Sequence, residues 1–355
     1  MTTIHRDLSL DQPVAPLPPA VAAGASDALA SGQTHYVEVG GVAPLVTRLQ
    51  TMLAEAAPGD VAPDVIVTAG VQEARFLAIQ VVGEKAGGLA LPAVCDPGVR
   101  RAAALRSLPT TVLPATLEDG FLPGLAAVAE ALAAGARLLY LESPSRFTGA
   151  AYDEDASAEI AALVEAHDAQ IVWDQGLAPW VHRRLYASIV AHAGMAERAL
   201  VLGEAWPGVG LEAWFVGYLA GCAATIDGIR TYKQIVSICT STAAQFAAVA
   251  AAEVYPELHR RQVEALAESY ESGLDRARAL GLPVVEGAAA SLLAVIPSDV
   301  PSALAALAEA GFSVTDGAEF GAPGLLRLAA TTDDALVGAI ERLAAATAPR
   351  RGGAR

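Results

Sequence analysis

Cysteine, positive charge and long apolar runs are all scarce in this sequence of 355 residues. Its three cysteines, Cys95, Cys222 and Cys239, are odd in number and widely spaced, which argues against a disulfide framework or a clustered zinc site. Lysine and arginine number 23 against 39 acids, and the net charge of -16 argues against nucleic acid and membrane surfaces as partners. Glycine, proline and charges interrupt every alanine-rich stretch before it reaches the roughly 18 to 20 apolar residues of a membrane span.

The first 19 residues also lack the apolar segment of a signal peptide, because acids stand near the start and prolines follow. Together with the expectation of reduced thiols, this predicts a cytoplasmic protein. The 54% hydrophobic content is enough for one large core and a smaller one.

Short β-branched runs alternate with longer amphipathic runs between residues 65 and 202. The runs predict strands at 65–68, 89–94, 111–113, 138–141, 171–173 and 199–202, and helices at 73–82, 98–105, 125–134 and 157–167. This alternation predicts an α/β fold, with a parallel or mixed sheet covered by helices on both faces. In such sheets, functional residues lie at the carboxyl ends of the strands.

The pattern changes after residue 243, first to continuous helix as far as 280 and then to short strands and helices. Strands are predicted at 292–296 and 325–329, with helices at 302–310 and 333–345. We therefore predict an N-terminal arm at 1–40, a large domain at 41–280 and a smaller C-terminal α+β domain at 281–350.

Six motifs occur in one order along residues 30–345. They are TAGVQEA at 68–74, ESPSRFTG at 142–149, WDQ at 173–175, GEAWPGVGLE at 203–212, KQIVSICTS at 233–241 and FGAPGLLRL at 320–328. In this order they resemble the phosphate loop, the SPSNPTG loop, the Asp-Glu-x-Tyr loop, the S-K-x-x-x-x-x-G-x-R segment, the next helix and the carboxylate-binding stretch of class I/II aminotransferases. The resemblance implies the pyridoxal phosphate (PLP) fold type I and a homodimer with sites at a two-fold interface.

The same alignment shows departures at the cofactor site. The family's Schiff-base lysine corresponds to Glu204, and its phosphate-binding arginine corresponds to Glu212. The asparagine of SPSNPTG appears as Arg146, and the ring-stacking aromatic as Val99. Asp174 keeps the position of the aspartate that partners the pyridine nitrogen.

Only two lysines occur in the chain, Lys85 and Lys233, and neither is expected to replace the missing one. A carboxylate cannot form an imine, and Glu212 would repel a phosphate. We therefore expect no cofactor, and Gly70, Val71 and Gln72 are interpreted as a vestigial phosphate loop. The alternative is PLP or pyridoxamine phosphate (PMP) held non-covalently.

Three carboxylates are predicted to crowd the former cofactor cavity and to act in catalysis: Glu204, Asp174 and Glu212. Crowding raises the pKa of one carboxyl beside an ionised neighbour, which suits acid–base chemistry. The same group could instead bind a divalent metal or a cationic substrate. The predicted substrate-binding residues are Arg327, Arg146, Tyr36 and Trp206, with Arg327 binding a substrate carboxylate through its planar fork.

Three functions stay open at this point. The first is a PLP-independent acid–base enzyme of the lyase, cyclase or isomerase type, acting on an amino-acid-like carboxylate substrate in specialised metabolism. The second is an enzyme that holds PLP or PMP without a covalent link. The third is a non-catalytic pseudoenzyme that binds a ligand or a partner.

Overall fold

The computed structural model describes residues 6–56, 63–182 and 186–347. Residues 1–5 of the predicted arm and 348–350 of the predicted small domain lie outside these ranges. None of the helices within them has the length and apolar character that a membrane crossing requires.

A seven-stranded sheet forms the centre of the larger part of the chain. Its strands are β2 (Asp64–Ala69), β3 (Leu89–Pro92), β4 (Thr110–Leu113), β5 (Leu138–Glu142), β6 (Gln170–Asp174), β7 (Ala199–Glu204) and β8 (Val216–Gly221). The order across the sheet is β2-β8-β7-β6-β5-β3-β4. Only β8 runs antiparallel to its neighbours, so the predicted mixed, mostly parallel sheet is confirmed.

Helices cover both faces of this sheet. They are α2 (Ala43–Ala56), α3 (Gly70–Ala86), α4 (Pro97–Leu105), α5 (Leu125–Ala133), α6 (Glu154–Ala166) and α7 (Ala223–Val236). Every residue of β5 is buried, as expected for a strand with helices on both sides. The strands and helices predicted between residues 65 and 202 are all present, with ends that differ by a few residues.

The second part of the chain packs on its own apolar core. It comprises the sheet β11 (Thr315–Asp316), β12 (Leu326–Ala329) and β9 (Leu292–Val295), and the helices α9 (Val300–Glu309) and α10 (Ala335–Thr347). The long helix α8 (Thr242–Ala279) joins the two parts, because its first half packs in the core of the large sheet and its second half in this smaller core. This confirms the predicted smaller α+β unit, whereas its exact boundaries stay a prediction.

The structure adds detail that the sequence analysis did not predict at two places. The segment 19–30, placed in the N-terminal arm, is the helix α1 (Pro19–Ala30). It packs closely on α8, as Gly24 shows: a Cβ added there would lie only 2.7 Å from Ala250 Cβ. The segment 233–241, predicted as one helix, instead contains the break between α7 and α8. Ile238 has a left-handed backbone there (φ 61°), which ends helical geometry.

The N-terminal segment is anchored on the small sheet. Strand β1 (Arg6–Asp7) pairs in parallel with β10 (Phe312–Ser313), and the amide of Ala329 donates to the carbonyl of Leu8 at 2.9 Å. This pairing directs residues 10–12 towards the edge of the large sheet where β5, β6 and β7 end.

Candidate functional site

A pocket of about 510 Å³ opens where β2 and β7 end and α3 begins. Its wall brings together loops and termini that are far apart in the sequence. The lining residues are Leu10, Asp11, Gln12, Ala69, Gly70, Val71, Gln72, Arg75, Asp96, Arg146, Glu204, Ala205, Trp206, Pro207, Gly208, Leu211, Glu212, Phe215 and Val216. The site therefore lies at the sheet edge that the α/β pattern predicts.

Asp174 ends β6 beside the pocket and is completely buried. Its Oδ2 accepts hydrogen bonds from Arg75 Nε at 2.7 Å and from the Tyr140 hydroxyl at 2.9 Å. Its Oδ1 accepts the amide of Gly176 at 3.0 Å. Burial alone would raise the pKa of Asp174, but Arg75, Arg146 and the Gly176 amide outweigh it and lower that pKa. Asp174 is therefore held as an anion.

Arg75 was missed by the sequence analysis. It projects from α3 and is 2% exposed, and besides Asp174 it donates through Nη1 to Asp96 at 3.0 Å and to Gln72 at 3.2 Å. An arginine among the buried positions Ala74 and Leu77 is the signal in the sequence that would have revealed it. A charge on an apolar helix face requires a buried partner.

Glu142 ends β5 directly opposite Asp174 in the parallel register. Its Oε1 accepts from the amide of Asp96 at 2.6 Å, and its Oε2 from the amide of Arg146 at 3.1 Å. Burial, with Asp174 and Asp96 nearby, raises the pKa of Glu142 to about 7. Glu142 thus titrates in the range where enzymes operate.

This raised pKa makes folding stability depend on pH. A carboxyl with a folded pKa of about 7 and an ordinary value of 4.5 holds its proton more tightly in the folded chain. The contribution of this carboxyl to the free energy of unfolding is complete below pH 4.5. It is lost as the pH rises through about 7, and the loss amounts to roughly 3 kcal/mol. We expect Glu142→Gln to lack this loss. The check is the free energy of unfolding of both proteins between about pH 5 and 8; parallel profiles would contradict the assignment.

Arg146 follows β5 and lies between two carboxylates. Its Nη2 is 2.7 Å from Asp11 Oδ2, and its Nη1 is 3.9 Å from Asp174 Oδ1. Burial alone would raise the pKa of Asp11, but Arg146 and Arg327 hold it below its usual range. Asp11 was not predicted, because nothing in an N-terminal arm indicates that it returns to the sheet edge.

Glu204 ends β7 and faces the pocket, as its predicted role requires. Its Oε2 accepts a hydrogen bond from Gln12 Nε2 at 2.7 Å. Burial raises the pKa of Glu204, although Arg146 and the Gln12 bond act against this. Trp206 lines the same wall with a left-handed backbone (φ 51°).

Glu212 also lines the pocket, and its Oε1 accepts the Gly210 amide at 3.3 Å. Burial raises the pKa of Glu212 too. Asp174, Glu204 and Glu212 do not form one cluster: Glu204 and Glu212 line the pocket, whereas Asp174 lies beside it, bound to Arg75 and 3.9 Å from Arg146. Across the described ranges, no group of three or more His, Cys, Asp or Glu side chains is arranged to hold a metal ion.

Two predicted substrate-binding residues do not line the pocket. Arg327 in β12 is buried; its Nη1 donates to the Arg146 carbonyl at 2.6 Å, and its Nη2 to Thr315 Oγ1 at 2.8 Å and to the Ser9 carbonyl. Tyr36 is 81% exposed. Their roles in substrate binding stay predictions.

The predicted phosphate loop is the start of α3. Gly70, Val71 and Gln72 line the pocket, and the first amides of a helix have no partner within it. Glu73 secures this turn: its Oε2 accepts the Ala69 amide at 2.6 Å and Lys233 Nζ at 2.7 Å.

Comparison with known proteins gives matches along almost the whole chain. The family described as "Aminotransferase class I and II" matches residues 7–343. The chain is 28% identical over 352 residues to the aspartate/prephenate aminotransferase of Thermus thermophilus, covering 95% of this chain and 89% of that protein. It is 23% identical over 341 residues to the aspartate aminotransferase of Thermotoga maritima, covering 95% and 90%.

Solved structures show the same similarity. The aspartate aminotransferase from Thermus thermophilus with maleate superposes with a TM-score of 0.84 at 25% identity, covering 96% of this chain and 91% of that one. The aspartate aminotransferase from Thermotoga maritima gives a TM-score of 0.88 at 23% identity, covering 96% and 91%.

These matches overturn part of the functional prediction. A PLP-independent lyase, cyclase or isomerase is wrong, and so is a non-catalytic pseudoenzyme, because the relatives that match nearly the whole chain are aminotransferases. The expectation of no cofactor is wrong as well, because the family uses PLP, whereas the alternative of PLP or PMP fits. The error was to extend changes at four positions to the chemistry of the whole site.

Proposed function

Because this chain belongs to the class I and II aminotransferase family, we propose that it transfers an amino group between a small amino acid and a 2-oxo acid, using a vitamin B6 phosphate cofactor. The observation that carries the proposal is the family match over residues 7–343. Two features of the pocket support it: buried arginines suited to carboxylates, and a helix start suited to a phosphate. The relative solved with maleate supports a dicarboxylic acid as substrate class.

The pocket residues fit a B6 cofactor at two of its ends. The free amides at the start of α3, from Gly70 to Gln72, would hold the phosphate. Asp174 would partner the ring nitrogen, because a carboxylate has about four acceptor positions and three of them are used, which leaves one on Oδ1. The bound cofactor supplies an electron sink for the substrate's α-carbon.

We further propose that the cofactor is held without a lysine link. Glu204 stands where the family has its lysine, in register with Gly217 of β8. Lys85 lies fifteen residues along α3 from Gly70, which is about 22 Å along the helix axis. Lys233 is fully buried and binds Glu73 and Ser237, with Nζ 2.8 Å from Ser237 Oγ.

Glu204 is proposed as the group that moves protons. It faces the pocket, and burial raises its pKa, which favours proton uptake by this carboxylate. The hydrogen bond from Gln12 orients Oε2, so Oε1 is the atom that would exchange a proton with the substrate. Glu212 would take up a proton beside a phosphate, because a second negative charge about 4 Å away costs about 4 kcal/mol at an effective dielectric of 20.

A homodimer is the proposed assembly. Several large apolar side chains are exposed on the single chain, among them Tyr36 at 81%, Phe215 at 61% and Ile235 at 84%. Phe215 lies at the pocket wall, so a partner covering it would complete the site. Tyr36 is then available to the partner's pocket, which is the substrate-binding role predicted for it.

The function is tested by an amino-transfer assay on the full chain with added pyridoxal phosphate. Aspartate and glutamate serve as donors, and 2-oxoglutarate and oxaloacetate as acceptors. We expect a new amino acid to form at a rate proportional to protein concentration and far above that of free cofactor. The proposed function would be contradicted if, for every donor and acceptor pair, the protein transferred the amino group no faster than free pyridoxal phosphate does.

A further inference from the structure

Two buried guanidinium groups beside the pocket carry nitrogen atoms with no hydrogen-bond acceptor. Within the described part of the chain, Arg75 Nη2 and Arg146 Nη1 have none, although Arg75 is only 2% exposed and Arg146 only 7%. Both arginines line the pocket. A buried N–H without an acceptor is costly, so these two atoms indicate a missing anionic partner.

Both guanidinium groups lie beside the carboxylate of Asp174. Arg75 Nε donates to one oxygen of Asp174 at 2.7 Å, and Arg146 Nη1 lies 3.9 Å from the other. Asp174 therefore binds the Arg75 guanidinium group directly and lies close to that of Arg146. Arg75 is also fixed through Nη1 by Asp96 at 3.0 Å and Gln72 at 3.2 Å. The pair is thus positioned before any ligand arrives.

A carboxylate of the chain itself already binds one of the two guanidinium groups, through its other terminal nitrogen. Asp11 binds Arg146 Nη2 at 2.7 Å and is more exposed than its partner, with side-chain exposures of 19% and 8%. It belongs to the N-terminal segment, whose carbonyl at Ser9 binds Arg327 and whose Gln12 binds Glu204. The segment therefore contacts three residues predicted to act on substrate: Arg146, Arg327 and Glu204.

We propose that Arg75 and Arg146 form a binding site for a carboxylate group of the substrate, and that Asp11 is its internal occupant, which a ligand carboxylate displaces. The proposal rests on the proposed function only for the ligand class, a small dicarboxylic amino or 2-oxo acid. A carboxylate is favoured over a phosphate because the present occupant is a carboxylate and because guanidinium forks match its planar geometry.

Exchange of one carboxylate for another leaves the buried charge unchanged. Arg75 and Arg146 face Asp174 and Asp96, and Asp11 adds one further negative charge. Loss of Asp11 without replacement would leave Arg146 with only the more distant contact to Asp174. A ligand that brings its own carboxylate avoids that cost.

Calorimetric titration of the full chain with succinate tests this site without any turnover. We expect Asp11→Asn to bind succinate about tenfold more tightly than the wild type or better, because the internal competitor loses its charge. Asp27→Asn, which removes the same charge from an exposed position on α1, is the control and should leave the dissociation constant unchanged. Inorganic phosphate, as a second probe, should show no such gain.

Arg146→Lys distinguishes a specific carboxylate site from a general effect of positive charge on succinate binding. It keeps the positive charge but loses the fork, so succinate binding to the Asp11→Asn background should fall about tenfold or more. Equal succinate affinity in the wild type and Asp11→Asn would overturn the proposal, as would full binding after Arg146→Lys or an equal gain for phosphate. Absence of amino transfer would leave these binding results intact, so the two failures are distinguishable.

Discussion

Replacement of Glu204 by glutamine is expected to lower kcat for amino transfer about 100-fold to 10,000-fold, while the fold and cofactor binding persist. Glutamine has nearly the same shape and can still accept the hydrogen bond from Gln12, which is 2.7 Å from Oε2 in the wild type. It cannot take up or release a proton in the working pH range. The loss should therefore appear in kcat, measured in the amino-transfer assay with saturating pyridoxal phosphate.

Glu204→Asp is the matched variant, because it keeps a titratable carboxyl but moves it back by one methylene. Partial activity in this variant beside near-complete loss in Glu204→Gln is the pattern expected of a proton-transfer group. A fully active Glu204→Gln enzyme with an unchanged pH profile would show that Glu204 only fills space in the pocket.

The second large effect is expected at Lys233, whose replacement by methionine should destabilise the protein by about 3 to 5 kcal/mol. Lys233 is fully buried, and its Nζ lies 2.7 Å from Glu73, whose side chain is 10% exposed. Removal of the ammonium group leaves the Glu73 carboxylate buried without its counter-charge, at the turn that begins α3. The measurement is the urea midpoint of unfolding together with its slope.

The double variant Glu73→Gln, Lys233→Met provides the control for this pair. Because both charges are then absent, much of the lost stability should return. A single Lys233→Met variant as stable as the wild type would show that the ion pair contributes nothing, and would make the amine of Lys233 available for other chemistry.

Much of the fold was predictable because its signals are local. Strands such as β5 and β7 are short, continuous apolar runs, and the α/β alternation around them is regular. Helix α1 was missed because its alanines and glycine give it little amphipathic pattern, and its close packing on α8 depends on a segment far away in the sequence. The break at Ile238 was missed because a left-handed backbone leaves no clear mark in the sequence.

The residues of the candidate site also differ in whether their signals in the sequence are local. Asp174, Glu204 and Glu212 were found because each has a fixed place in an aligned motif. Arg75, Asp11 and Gln12 were not, because their importance arises from contacts between distant segments: Arg75 and Asp174 are 99 residues apart, and Gln12 and Glu204 are 192 apart. The changed residues at the cofactor positions predicted a loss of cofactor chemistry, whereas the family match over residues 7–343 supports that chemistry.

The central claim is that this aminotransferase-family enzyme works without a lysine-linked cofactor, and borohydride tests it most directly. The protein is saturated with pyridoxal phosphate, reduced, dialysed, weighed by intact mass spectrometry and assayed again for amino transfer. The account predicts an unmodified chain that regains activity when fresh pyridoxal phosphate is added. A chain that carries the cofactor covalently on Lys233 or Lys85 and stays inactive would contradict it.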